Sequence, residues 1–68
     1  MKTGELKICK GSMLLYVGEN SYTHRGFIPI GSIMMCLSFD TAWEIEVLSE
    51  MGKGWVRKAA WERFCKEL

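Results

Sequence analysis

Glycine most constrains what this chain can become. Gly11, Gly18, Gly26, Gly31, Gly52 and Gly54 lie between apolar runs and cut the sequence into short pieces. Short runs separated by turn signals predict paired strands rather than a bundle of long helices. Sixty-eight residues make one domain over 1–68, near the lower limit for a chain that folds without metals or disulfides. In so small a core, most large apolar side chains are needed for stability.

The clearest strand is Trp43-Glu44-Ile45-Glu46-Val47, apolar at odd positions and acidic at even ones. That period of two belongs to a strand with one buried face. Upstream, Ile33, Met35, Leu37 and Phe39 share one face of a second strand, and Met34, Cys36 and Ser38 share the other. The second face is apolar for a solvent side, so a helix or a partner is expected to cover it. Asp40-Thr41-Ala42 between these strands has the length and polarity of a hairpin loop. Met13 to Val17 forms an earlier strand, GENSYTHRG (18–26) the longest loop, and Ser49 to Gly54 a further hairpin before a short strand at Trp55-Val56. The only proline, Pro29, precedes a strand, as its missing N–H requires.

The tail KAAWERFCKEL changes period. Trp61, Phe64, Cys65 and Leu68 fall at i, i+3, i+4 and i+7, which predicts a helix over 58–67 with Glu62 and Lys66 as an i,i+4 pair. Trp43 and Trp61 are assigned to the core, and residues 1–5 are expected to fray.

Two stretches resemble SH3-like barrels. FIPIGSIMMCLS is similar to the hydrophobic-x-x-Gly turn that feeds that family's second strand, and GKGWV to its Gly-aromatic-hydrophobic ending. With the Trp43 strand between them, the resemblance spans residues 26–62. It implies a mostly β fold, a small SH3-like antiparallel barrel of about five strands with a short C-terminal amphipathic helix. It does not imply the family's proline-rich ligand. The groove-lining proline and tyrosine of eukaryotic SH3 domains are replaced by Arg57 and Ala60, only Tyr16 echoes their tyrosine-rich strand, and GENSYTHRG is not their acidic loop. A bacterial or viral SH3-like domain is the better match, and the size suits a phage or mobile-element product.

The charges argue against several chemistries. Nine Lys+Arg against eight Asp+Glu leave a net charge of +1, so no whole-molecule field draws in nucleic acid. The split is local: Asp40, Glu44, Glu46 and Glu50 on one stretch, Lys53, Arg57, Lys58, Arg63 and Lys66 on the next. His24, the only histidine, has no nucleophile or orienting acid near it in sequence and reads as a solvated loop residue. Cys9, Cys36, Cys65 and His24 lack the C-x₂₋₄-C spacing of a zinc site, and no phosphate loop or catalytic triad occurs. Glu44 and Glu46 read as the wet side of a strand rather than as an acid–base pair. The expectation is no enzyme, no cofactor and no metal.

Three widely spaced cysteines, an odd count, read as reduced core residues of a cytoplasmic protein. No apolar run reaches signal-peptide or membrane-span length. By elimination the chain is expected to be a non-catalytic protein-binding module, an accessory or inhibitory protein docking on a larger one. The candidate partner-binding residues are Tyr22, Arg25, Met34, Trp55, Arg57 and Lys58. With Val56 pointing inward, Trp55 either points outward beside Arg57, the pairing that interfaces use as anchors, or packs under Phe64 or Trp61 of the helix. The alternative is a nucleic-acid-binding barrel that uses the C-terminal bases around Trp55. Pairing between copies, through edge strands and the Met34/Cys36 face, is compatible with either.

Overall fold

The computed structural model describes residues 1–17 and 23–68, with side chains for all of these except 23–25. Its elements are β1 (Leu6–Cys9), β2 (Met13–Val17), β3 (Thr23–Ile28), β4 (Ile33–Ser38), β5 (Glu44–Ser49), β6 (Gly52–Arg57), α1 (Lys58–Phe64) and β7 (Cys65–Glu67). All seven strands join one antiparallel sheet in the order β3-β2-β6-β5-β4-β1-β7. The sheet curls into a half-barrel, so the architecture is mostly β with one short C-terminal helix, as the sequence predicts.

The meander β4-β5-β6 is the part written most openly in the sequence. Ile45 and Val47 on β5 lie opposite Val56 and Gly54 on β6 and are fully buried. Glu44 and Glu46 alternate with them and face outward. The β5–β6 turn is two residues, Glu50 and Met51, closed by Gly52 at φ 102°. Ser49 fastens it: its hydroxyl donates to the Gly52 carbonyl at 3.0 Å and accepts from Met51 N–H at 3.1 Å. Gly54 answers a different need. A Cβ there would lie 2.7 Å from the Tyr16 carbonyl oxygen and 2.9 Å from the Leu15 side chain, so β2 can cross β6 only where no side chain intervenes.

Several expectations are corrected. The strands number seven rather than about five, because β1, β3 and β7 carry no clear alternation. Residues 23–26, assigned to a loop, belong to β3; an irregularity lets Leu15 face Gly26 and Tyr16 face His24, leaving Arg25 unmatched and breaking the period. The face carrying Met34 and Cys36 is the core face, both side chains being fully buried, while Ile33, Met35 and Leu37 point outward. A second irregularity at Leu37 then sets Ser38 opposite the outward-facing Glu46, so Ser38 does not continue the Met34/Cys36 face. Trp43, assigned to the core, stands 76% exposed, because β5 begins one residue later at Glu44.

The predicted helix ends early. α1 stops at Phe64, and Cys65 returns to extended backbone (φ −118°, ψ 149°) to start β7 beside β1. Lys10 N–H donates to the Phe64 carbonyl at 2.7 Å, and the Phe64 ring lies where a Cβ on residue 11 would be, 2.6 Å from it. Gly11 therefore admits the turn from helix to strand. Glu62 and Lys66 no longer share a helix, and Leu68 is exposed, whereas Trp61 and Cys65 are buried. Seven residues with no side-chain N-cap would not hold as an isolated helix; α1 persists because it sinks Trp61 into the core.

The core comprises Cys9, Met13, Leu15, Ile28, Met34, Cys36, Ile45, Val47, Val56, Trp61 and Cys65, with Phe39, Met51 and Ala60 packed on it. Among the described residues no helix is long and apolar enough to cross a membrane. The opposite placements of two tryptophans give a direct check. Trp61→Ala should cost about 3–5 kcal/mol in urea unfolding, while Trp43→Ala should stay within about 0.5 kcal/mol of the parent.

Candidate interaction face

The outer face of the sheet can be read from its registers, because directly opposed residues point the same way. Leu6 on β1 faces Met35 on β4, and Met35 faces Leu48 on β5. Leu6 and Leu48 are 44% and 45% exposed. Ile8 faces Ile33 in the neighbouring row, and Ile33 is 45% exposed. Five apolar side chains thus lie side by side on the solvent side of three adjacent strands. Lys53, opposite Leu48, and Lys66, opposite Ile8, stand at the margins. Of these five, the sequence pattern groups only Ile33 and Met35 on one face. The available signal was Leu48, where the acidic side of β5 turns apolar.

The β6 side of the same face is aromatic and charged. Trp55 lies opposite Tyr16 on one side and Glu46 on the other, half-buried between them. The Arg57 guanidinium carbon sits 5.3 Å from the Tyr16 ring centroid. Glu44 and Glu46 pair with the bases across the strand: Arg57 Nη1 to Glu44 Oε2 is 4.0 Å and Lys53 Nζ to Glu46 Oε2 is 3.5 Å. Both contacts lie near water and contribute little to stability. Their consequence is electrostatic, since two of the five C-terminal bases are neutralised by adjacent acids. The other three are dispersed: Lys58 begins α1, Arg63 lies in its last turn, and Lys66 is on β7.

The predicted site residues therefore do not converge. Trp55 and Arg57 share the outer face. Met34 is in the core and cannot touch a partner, because β4 turns its other face to solvent. Lys58 is half-buried, and its backbone N–H donates to the Trp43 carbonyl at 2.8 Å. Tyr22 lies outside the described residues, as do the side chains of Arg25 and His24.

A second feature lies where α1 meets β1 and β7. A cavity of about 280 Å³ is lined by Met1, Glu5, Lys7, Trp61, Glu62 and Glu67. Lys7 Nζ lies 5.2 Å from the Trp61 ring centroid, so a cation from β1 covers the indole. Trp61 Nε1 and Glu5 Oε1 are buried without hydrogen-bond partners. No nucleophile with an adjacent base lines the cavity. Among the described residues no group of three or more His, Cys, Asp and Glu is placed to hold a metal.

Two of the thiols, Cys36 and Cys65, are held in their protonated form. Burial, reinforced by nearby Cys9, pushes Cys65 up to about 11, and burial followed by Glu5 raises Cys36. A thiol that titrates higher in the folded chain loses nothing below its ordinary value of 9.0. Above that, the unfolded chain ionises while the folded chain does not, so stability falls as pH climbs from 9.0 toward about 11. The urea midpoint should accordingly drop between pH 8.5 and pH 10.5, and Cys65→Ala should flatten that drop.

Compared with known proteins, the chain matches no family model, no curated protein and no solved structure.

Proposed function

We propose that this chain is a non-catalytic protein-binding module of SH3-like build that docks on a larger protein as an accessory or inhibitory factor. The observation that carries this reading is the pair of outward rows Leu6–Met35–Leu48 and Ile8–Ile33. A small domain gains no folding energy from apolar side chains left in water, and a contiguous apolar patch with charged margins is the usual form of a docking surface. Trp55 and Arg57 extend the patch with an aromatic and a guanidinium, the residue types that anchor interfaces. The SH3-like reading is supported by the β4-β5-β6 meander running through GKGWV into a helical turn. Its peptide groove is not part of the proposal, since Arg57 and Ala60 stand where that groove needs proline and tyrosine.

The second reading, nucleic-acid binding, has one observation in its favour: Tyr16, Trp55 and Arg57 form an aromatic-cationic surface on which bases could stack. Against it, Glu44 and Glu46 lie on that surface and hold its two bases. Such a site would weaken steeply with salt.

The two readings separate in one set of assays. Immobilised chain should retain a discrete protein partner, and an Ile33→Lys/Leu48→Lys variant with an unchanged urea midpoint should lose it. Retention by both proteins alike, or by neither, would count against the apolar face. No shift of single-stranded DNA or RNA is expected at low ionic strength; a shift abolished by Trp55→Ala would favour the second reading. Sedimentation distinguishes a third occupant, a second copy of the chain, since the same double variant would then convert a dimer to monomer.

A further inference from the structure

We infer that Cys9 and Cys65 are a built cross-strand redox pair, able to close a disulfide that locks edge strand β7 onto β1. The two residues are directly opposed in the β1–β7 register. Their backbone bonding shows which kind of opposed pair they form. Cys9 spends its N–H on the Ser32 carbonyl at 2.8 Å, and its carbonyl accepts from Gly31 N–H at 2.7 Å, both away from β7. The next pair along carries the bond to β7, Lys10 N–H to the Phe64 carbonyl at 2.7 Å. Cys9 and Cys65 are therefore a non-hydrogen-bonded pair, the type whose Cα atoms approach to about 4.5 Å with side chains closest. That spacing falls within the range of about 4.4–6.8 Å a disulfide spans.

Both side chains point to the same interior, at 0% and 5% exposure. The Cys9 thiol is directed at the Gly11 carbonyl, 3.0 Å away, and the Cys65 sulfur touches Met13 Sδ at 3.3 Å. Each engages a neighbour rather than the other, so rotation about χ1 is what closure requires. Cys36 pairs with Val47 on a different part of the sheet and has no thiol opposite it. The arrangement is thus selective for one of three possible pairings.

Closure needs an oxidant, and a small disulfide such as oxidised glutathione supplies it. The thiolate of one cysteine attacks a glutathione sulfur, forming a mixed disulfide and expelling one glutathione thiolate, which takes up a proton. The second protein thiolate then attacks the protein sulfur of that mixed disulfide and expels the second glutathione. Two protein thiols are oxidised, one disulfide is reduced to two thiols, and the protons balance. Both thiols are shielded from solvent in the folded chain, so the reaction proceeds when β7 lifts from β1. β7 is a three-residue edge strand held from one side, the kind of element that opens first.

Folding and bond formation must favour each other by the same factor, and that reciprocity supplies the test. The full chain is equilibrated in a glutathione redox buffer, once in water and once in urea, then trapped with acid and mapped by peptide mass spectrometry. In water the Cys9–Cys65 bond should dominate, its ratio to the other two pairings at least tenfold higher than in urea, where all three pairings should appear. The oxidised chain should melt at least about 5 °C higher than the reduced one, and dithiothreitol should reverse the shift. Comparable amounts of the three pairings in water, stable glutathione adducts on Cys9 or Cys65, or a chain left reduced in water while it cross-links in urea would each overturn the inference. Cys36→Ala gives a second reading with only one pairing open; the wild-type map decides the question should that variant fail to fold.

Discussion

Burial of the Trp61 indole holds the rest of the fold in place. Among the described residues, the eleven buried core side chains include a single aromatic one, that of Trp61. α1 has no N-cap side chain and too few residues to persist alone, so its existence follows from delivering that ring. Once Trp61 is seated, Lys7 covers it from β1, Phe64 lies over Gly11, and the chain is returned to the sheet as β7. The helix is therefore less an appendage than the turn that joins β6 to the opposite margin of the sheet. Trp61, together with the 3.3 Å contact of Cys65 Sγ with Met13 Sδ, couples strands far apart in sheet order.

Both faces of this small sheet are rich in apolar side chains, and that is the source of its interest. The inner face closes around Ile45, Val47, Val56, Met34 and Cys36. The outer face carries Leu6, Ile8, Ile33, Met35 and Leu48 without any layer above them. A sandwich would cover such a face with a second sheet, but the one helix among the described residues, α1, carries Trp61 into the core instead. What remains outside is a surface shaped by strand register, with its charges at the margins and already paired on the β6 side. The thiols form a separate system in the interior, placed by the β1–β7 register rather than by the docking face.

Strands whose two faces differ were legible in advance. Trp43 to Val47 announced β5 and Trp55-Val56 the middle of β6, although Gly52 to Gly54, read as part of a hairpin loop, also belong to β6. Strands whose two faces are alike were not. In IMMCLS both phases are apolar, so periodicity could identify a strand but could not tell which side was wet, and Met34 went to the wrong one. β3 escaped because an irregularity breaks its alternation, and β7 because CKE is too short to show one. Trp43 misled for a related reason: it extends the alternation of β5 by one residue, but the strand ends before reaching it. Of the residues proposed for partner contact, Trp55 and Arg57 share the outer face of β6 because Val56 between them points inward.

By itself the sequence determined that short, glycine-bounded strands would pair antiparallel and that a helical segment carrying Trp61 would follow the last hairpin. These are local properties, fixed by φ/ψ freedom at glycine and by the alternation of side chains along one strand. Tertiary structure alone decided which face of β4 was the core, where the helix gave way to strand, and that Cys9 would meet Cys65. Each of those depends on pairing between residues distant in the chain, and a strand's own composition carries no record of its neighbour's register.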